Sequence, residues 1–470
     1  GRPSPTYHCE VAGLHLVASQ WYVGEGRPVP AIDHAIASGD RDHALSLLAR
    51  HGAGFLGQGR MRLLSRWFRA LPAGALDGHP DLQMVAIWAT CFTSGPWQAM
   101  SMLEASGVMA SPAREVQAHV RALRPVLLAM MDRAEEAYEV GQQSLRALPG
   151  TDAFADSVLT NAMAHVVATM GDPRQAHRLL DTARRAQGAG PFNRMYTESV
   201  EGLIDLREGR LQQATARFRI AVNATQSASY THTHGNAWAG MLYAGTLYEA
   251  DRLNDAEQLL GIYLPLACDV GLPDHMILGH TMRARIAFSR GDVDQAFQQL
   301  TELEYIGHDR QLPRVSASAK LERARLLGLQ GNATACADEL DRADDAAVWA
   351  RARQLQLAAH DIEDIEIGRW RLAIRFGDHR PTLAPLASAI TIAHAQSRRR
   401  RALRLRTLHA AALHRGGDAA SARAALWAVL REAGAEGFVR LIADEAEPAA
   451  ALVRLLIGAA AEDDAIRADP

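Results

Sequence analysis

The feature that most constrains this chain is a short unit that returns along it at a steady interval. In its clearest copy, Gly291-Asp292 is followed by Ala296 and then by Leu300. Gly39-Asp40 with Ala44 and Leu48, Gly171-Asp172 with Ala176 and Leu180, and Gly209-Arg210 with Ala214 and Phe218 repeat it. Asp251-Arg252, Gly331-Asn332 and Gly417-Asp418 open further copies that end on Leu260, Leu340 and Leu426. Asp132-Arg133 and Gly377-Asp378 open weaker ones. From Asp132 onward the starts lie at 132, 171, 209, 251, 291, 331, 377 and 417, a period of roughly 40 residues.

Each part of the unit has a physical role. A glycine ends one helix in the left-handed conformation that other residues avoid, and an acidic or polar residue opens the next near its positive end. Small and large apolar residues four apart then share one helical face. The alanine lets the preceding helix approach closely and the leucine fills the groove beside it. Repeated in register, the unit predicts an all-α fold: helical hairpins of about 40 residues, like tetratricopeptide (TPR) repeats, stacked into a right-handed superhelix.

Composition fits packed helices and narrows the function. Of 470 residues, 48% are hydrophobic but only 6% aromatic, so alanine and leucine carry the packing. A net charge of −3 argues against the whole chain being an electrostatic nucleic-acid binder. Lys320 is the single lysine and follows no glycine loop, which excludes a P-loop. Cys9, Cys91, Cys268 and Cys336 are widely spaced without a CxxC pair, as expected of small apolar residues in a reducing cytoplasm. No apolar run reaches the ~18 residues of a membrane-spanning helix and no signal peptide opens the sequence. Gly1 in place of methionine points to a piece of something longer.

Taken in order, residues 1–10 read as a loose lead-in, and 11–23 as a helix with Leu14, Val17, Trp21 and Tyr22 near one face. Pro28 and Pro30 are expected to turn the chain before a helix over 31–38. Next come Phe55-Leu56-Gly57-Gln58-Gly59, the run from Leu63 to Pro72 around Trp67, His79-Pro80-Asp81-Leu82 and Ala86-Ile87-Trp88-Ala89. At the far end stands Glu436-Gly437-Phe438-Val439-Arg440-Leu441-Ile442-Ala443-Asp444-Glu445.

With Trp21–Gly26 and Ala31–Asp40, these segments resemble the sensor region of MalT-like regulators, which are large ATP-dependent transcription activators with a LuxR-type DNA-binding end. The resemblance spans nearly the whole chain. It implies that residues 1–50 form a helical join after an absent ATPase and winged helix, 51–445 the superhelical sensor, and 446–470 a linker toward an absent helix-turn-helix domain. It also implies that ATP binds in the missing N-terminal domain, leaving this chain without a cofactor. The implied partners are a small-molecule effector, the protein's own ATPase and DNA-binding domains, an inhibitory protein and further copies of itself. Direct contact with nucleic acid or membrane is not expected.

Catalysis and metal binding find little support in the residues. Thr231-His232-Thr233-His234 contains an HxH, but no third ligand stands at a known spacing. There is no GxSxG and no Cys–His framework. Asp361, Glu363, Asp364 and Glu366 read as a solvated or salt-bridged face rather than an acid/base pair. Arg398–Arg401 with Arg404 and Arg406 could meet phosphates, but a face in water or against acidic neighbours is preferred.

A ligand groove remains. Placing each turn glycine as in tetratricopeptide hairpins puts His119, Asn161, His165, Tyr196, Ser199, Trp238, Met241, Tyr248, Glu249, Thr281, Arg285, Arg325, Asp364 and Arg371 on the inner wall. Apolar faces with a few donors suit a small organic molecule. The expected ligand contacts are Asn161, His165, Tyr196, Trp238, Met241, Tyr248, Arg285 and Arg325. The alternative is a stand-alone TPR-like scaffold for a peptide or partner protein.

Overall fold

The computed structural model describes residues 5–185, 190–226 and 237–445, with Ala451, Val453, Arg454 and Ile457. Among them there is no strand. In chain order the helices are α1 (Pro5–Gly24), α2 (Pro28–Ser38), α3 (Arg41–Gly57), α4 (Met61–Ala70), α5 (Pro80–Ser94), α6 (Pro96–Ala105), α7 (Arg114–Met130) and α8 (Ala134–Leu145). Then follow α9 (Ala153–Thr169), α10 (Pro173–Arg185), α11 (Pro191–Arg207), α12 (Leu211–Gln226), α13 (Ala237–Glu249), α14 (Leu253–Val270), α15 (Pro273–Ser289) and α16 (Val293–Asp309). The last are α17 (Pro313–Leu329), α18 (Ala333–Ala343), α19 (Ala346–Gln354), α20 (Ile365–Phe376), α21 (Arg380–Ala395), α22 (Arg399–Arg415), α23 (Ala419–Glu436) and the short α24 (Arg440–Ala443).

The recurring unit does what its chemistry requires. Gly291 has φ +86°, and its N–H bonds to Phe288 O at 3.0 Å while the N–H of Asp292 reaches Ala287 O at 2.9 Å. This paired closure satisfies two carbonyls that the helix end would otherwise leave free. The same pair of bonds closes α9 at Gly171, α11 at Gly209, α13 at Asp251, α17 at Gly331 and α22 at Gly417. The residue after the glycine also caps the next helix: Asp40, Asp172, Asp292, Asn332 and Asp418 each accept from the backbone N–H three residues on. The alanine–leucine pairs Ala176/Leu180, Ala256/Leu260, Ala296/Leu300 and Ala422/Leu426 are all fully buried. Gly377 departs from the pattern, with extended backbone at φ −117°, in keeping with its weaker sequence match.

Two details at the start differ from the sequence reading. The helix expected over 11–23 begins at Pro5, so most of the lead-in is helical. Pro28 and Pro30 do not turn the chain. They lie in the first turn of α2, where a missing N–H costs nothing and a fixed φ is already helical. Leu14, Val17 and Trp21 do share a stripe on α1, but it faces outward, between 57% and 71% exposed.

Contacts divide the chain into two units, one of residues 1–163, 179–195 and 224–235, the other of 164–178, 196–223 and 236–470. In the first unit, Trp67 is buried and donates its indole N–H to Asp33 at 2.7 Å, with Arg66 on the same carboxylate. The rings of Trp88, Phe92, Phe154 and Phe192 pack in a chain with centroids 5.2–6.2 Å apart.

In the second unit, α13/α14, α15/α16, α17/α18 and α22/α23 pair as hairpins. Their helices come close where side chains vanish: a Cβ added at Gly240 of α13 would lie 2.2 Å from the Tyr263 ring of α14. The step from the turn at 331 to that at 377 is longer than its neighbours because α19 and a short 3-10 turn (Ala358–His360) intervene before α20. This inserted segment crosses the interior of the unit. Gln356 N–H bonds to Thr169 O at 2.7 Å, Arg207 donates to both Gln356 and Ala168 O, and Ala359 N–H donates to Asp274. The last hairpin packs back on an early one: Leu403, Val429 and Ala433 share a core with Leu203, Leu206 and Phe218 of α11 and α12.

Candidate ligand site

The first helices of five successive hairpins in the second unit send polar side chains to one place. They are Tyr248 on α13, Arg285 on α15, Glu322 and Arg325 on α17, Arg371 on α20 and Arg404 on α22. What they meet there is the chain's own C-terminal segment. Arg285 grips Glu322 through two bonds of 2.9 and 2.6 Å and reaches Asp444 at 2.9 Å. Arg325 bonds to Glu322 at 2.8 Å and to the Asp444 carbonyl at 2.7 Å. The Tyr248 hydroxyl donates to Asp444 at 2.8 Å. Arg371 holds Glu363 on one side and Glu445 on the other, each within 3.1 Å, and Arg404 also donates to Glu445.

These charges are almost wholly removed from water. Burial alone would raise the Asp444 and Glu445 carboxyls, but the surrounding arginines outweigh it and hold both below the usual carboxylate range. Glu363 goes the other way: burial, with Glu322 nearby, lifts it in spite of Arg371.

Beside this cluster lies an apolar cleft walled by Leu203, Leu206, Met241, Leu242, Leu278, Met282 and Ile362. As it stands its free volume is about 30 Å³, room for a water or two, and Tyr248, Glu249, His275, Thr281, Arg285 and Arg400 supply its polar groups. Arg400 pairs with Glu249, whose second oxygen, Oε2, is buried without a hydrogen-bond partner among the described residues. His275 accepts from Leu272 N–H through Nδ1 at 3.2 Å, which leaves its proton on Nε2. Burial pushes this imidazole down to about 3, so it is neutral at physiological pH.

The eight residues expected to contact ligand separate into groups. Met241, Tyr248 and Arg285 line the cleft. His165, Tyr196 and Trp238 form a ring cluster with His275, the indole making edge contacts with centroids 5.0–5.5 Å away. Burial likewise lowers His165, to about 4. Arg325 sits in the charge cluster, beside the cleft rather than on it. Asn161 belongs to the first unit, where its side chain donates to Asn193.

Other sequence candidates also find their places. Each arginine of the 398–406 run faces an acid: Arg398 takes Asp361, Arg399 and Arg406 take Glu432, Arg400 takes Glu249, Arg401 takes Asp364 and Arg404 takes Glu445. Asp361 to Glu366 are salt-bridged too, although they lie at the end of the insertion and the start of α20 rather than along one helix face. Among the described residues no group of three side chains could hold a metal, and the Thr231–His234 candidate lies outside them. No helix among the described residues is long and apolar enough to cross a membrane.

A family model described as the MalT-like TPR region matches residues 118–457, well over half of the sequence. The chain belongs to the MalT-like TPR region family. Among curated relatives, this MalT-like chain is 27% identical over 338 residues to serine/threonine-protein kinase PknK of Mycobacterium tuberculosis, covering 70% of this chain and 30% of the kinase. It is 22% identical over 378 residues to the HTH-type transcriptional regulator MalT of Serratia proteamaculans, covering 76% and 41%. The MalT of Yersinia enterocolitica is 23% identical over 315 residues, covering 64% and 34%. The MalT-like chain thus spans less than half the length of these relatives. A solved structure of Rap protein complexed with Competence and Sporulation Factor shares the fold, with a TM-score of 0.56 at 9% identity over 77% of this chain and 99% of that one.

Proposed function

We propose that this MalT-like TPR region is the effector-sensing part of a transcription regulator and takes a small organic molecule in the cleft of the second unit. The observation that carries the reading is the cleft itself: apolar walls for area, with a handful of fixed polar groups and an unpartnered carboxylate oxygen to orient a donor. Its residues come from α11, α13, α15, α22 and the insertion, so a ligand there bridges elements far apart in sequence.

Sensing follows from differential affinity. A molecule that binds one arrangement of these helices better than another shifts the chain toward that arrangement by the difference and no more. In the whole regulator, that bias would favour ATP binding in a preceding domain, self-association and DNA binding by a following one. The chain's part is recognition, without turnover of its ligand, in a cytoplasmic protein.

Thermal-shift screening of sugars, aromatics, fatty acids and short peptides tests this. A true effector raises the melting temperature in proportion to the logarithm of its concentration. Met241→Trp, which fills the cleft, abolishes the shift. A shift that survives this substitution, or a screen with no shift at all, overturns the proposal.

A further inference from the structure

The segment Phe438–Glu445 is seated in the second unit in the way a bound peptide would be. Gly437, at φ +84°, breaks it away from α23. Phe438 and Leu441 are buried in the apolar core with Leu203, Leu206 and Leu242. Val439 N–H donates to Glu249 O at 2.8 Å, a main-chain contact to α13. The two carboxylates that follow enter the arginine cluster.

Charge balance makes those carboxylates indispensable to the site. Outside the segment, Arg285, Arg325, Arg371 and Arg404 bring four positive charges to it. Apart from Asp444 and Glu445, the acids on the same guanidiniums are the buried Glu322 and Glu363. Empty of the segment, the site would hold an excess of buried positive charge, which is costly unless an anion enters. Arg371 presents a planar two-point donor to Glu445, Arg404 adds a bond to the same carboxylate, and Arg285 donates to Asp444, a directional set that a simple chloride could not satisfy.

We infer that this socket is a binding site for an acidic peptide, one with two apolar anchors three residues apart followed by paired carboxylates, and that Phe438–Glu445 is its resident occupant. A partner protein carrying such a segment would compete with it. Tyr248, Glu249 and Arg285 belong to the socket and to the neighbouring cleft alike, so exchanging one occupant for another would reshape the cleft. The inference goes beyond the small-molecule reading and does not depend on it.

The test uses the full chain carrying Asp444→Asn and Glu445→Gln, which weakens the resident segment without changing its shape. A fluorescein-labelled peptide with the sequence of residues 437–446 is titrated against it, beside the same peptide with both carboxylates amidated. The acidic peptide is expected to bind at least about 10-fold tighter, because only its carboxylates regain the charge-assisted bonds to the arginines. Equal affinities, or no binding to a variant that keeps the native circular dichroism, overturn the inference. Should the variant not fold, hydrogen exchange on the unsubstituted chain decides. Amides of 438–445 that open well before α22 support an exchangeable occupant, whereas exchange only on global unfolding makes the segment a fixed part of the core.

Discussion

Arg285 offers the sharpest probe of how the second unit is held. It is 3% exposed and donates three charge-assisted bonds to two carboxylates. Replacing it by methionine keeps the length and apolar stem but leaves Glu322 with Arg325 alone and takes one guanidinium from Asp444. Breaking a buried pair from one side costs about 3–5 kcal/mol, because the remaining charge stays out of water. Tyr248 and Arg440 remain on Asp444, which places the expected loss near the middle of that range. Urea unfolding followed by circular dichroism at neutral pH measures it, for Arg285→Met, Glu322→Gln and the double substitution. The double is expected to lose about 2 kcal/mol less than the two singles added together, within the range seen for contacting residues. Additivity to within about 0.5 kcal/mol, or a single loss under about 1 kcal/mol, would mean that the pair is hydrated and that the buried-cluster argument is wrong.

Two further outcomes follow from the packing. His165 and His275 are pushed by burial down to about 4 and about 3, and His360, also beside Arg314, to about 4. Their folded values lie below the unfolded one near 6.5, so the unfolded chain takes up protons first, and stability present above about pH 6.5 is lost as pH falls toward 4; each costs about 2 kcal/mol by pH 5, seen as a lower urea midpoint at pH 5 than at pH 7.5. Asp444 and Glu445 are lowered too, which in an acid favours the charged form of the folded chain, so their contribution is present at neutral pH and withdrawn only below about pH 4. Gly240→Leu should lower stability by about 3 kcal/mol through collision with the Tyr263 ring, while Gly261→Ala on α14, with nothing within 4 Å, should be neutral or slightly stabilising; equal melting temperatures for the two would contradict the close approach of α13 and α14.

The hairpins were legible in the sequence because their information is local. A glycine that must take positive φ, a cap one residue later and two apolar residues four apart lie within ten positions, and they recur. The register drawn from them placed Met241, Tyr248 and Arg285 on the inner wall, and the three line one cleft, since each lies at a set distance from its own turn. The contents of the interior were not legible. Nothing near Asp444 or Glu445 says that they return to helices more than a hundred residues earlier, and their neighbours Phe438 and Leu441 look like the end of an ordinary repeat. One signal was available: Arg285, Arg325 and Arg371 recur at nearly the repeat spacing, and inward-facing arginines need counter-charges from somewhere. The long step from 331 to 377 was a second signal, because residues in excess of the period must go either outward or into the hollow.

Helical-repeat arrays commonly gain and lose copies in evolution, since each copy touches only the next and unfolding can fray inward from an end. The inserted stretch around Gln356 and the terminal Asp444 change that arithmetic here. They run as chords, tying α9 and α11 to Gln356, about 150 or more positions later, and α13, α15, α17, α20 and α22 to one another. A copy added or deleted between α13 and α22 would carry the chord's ends out of reach of each other. The number of hairpins in this stretch is therefore fixed by closure, and the unit should melt as one cooperative block rather than repeat by repeat.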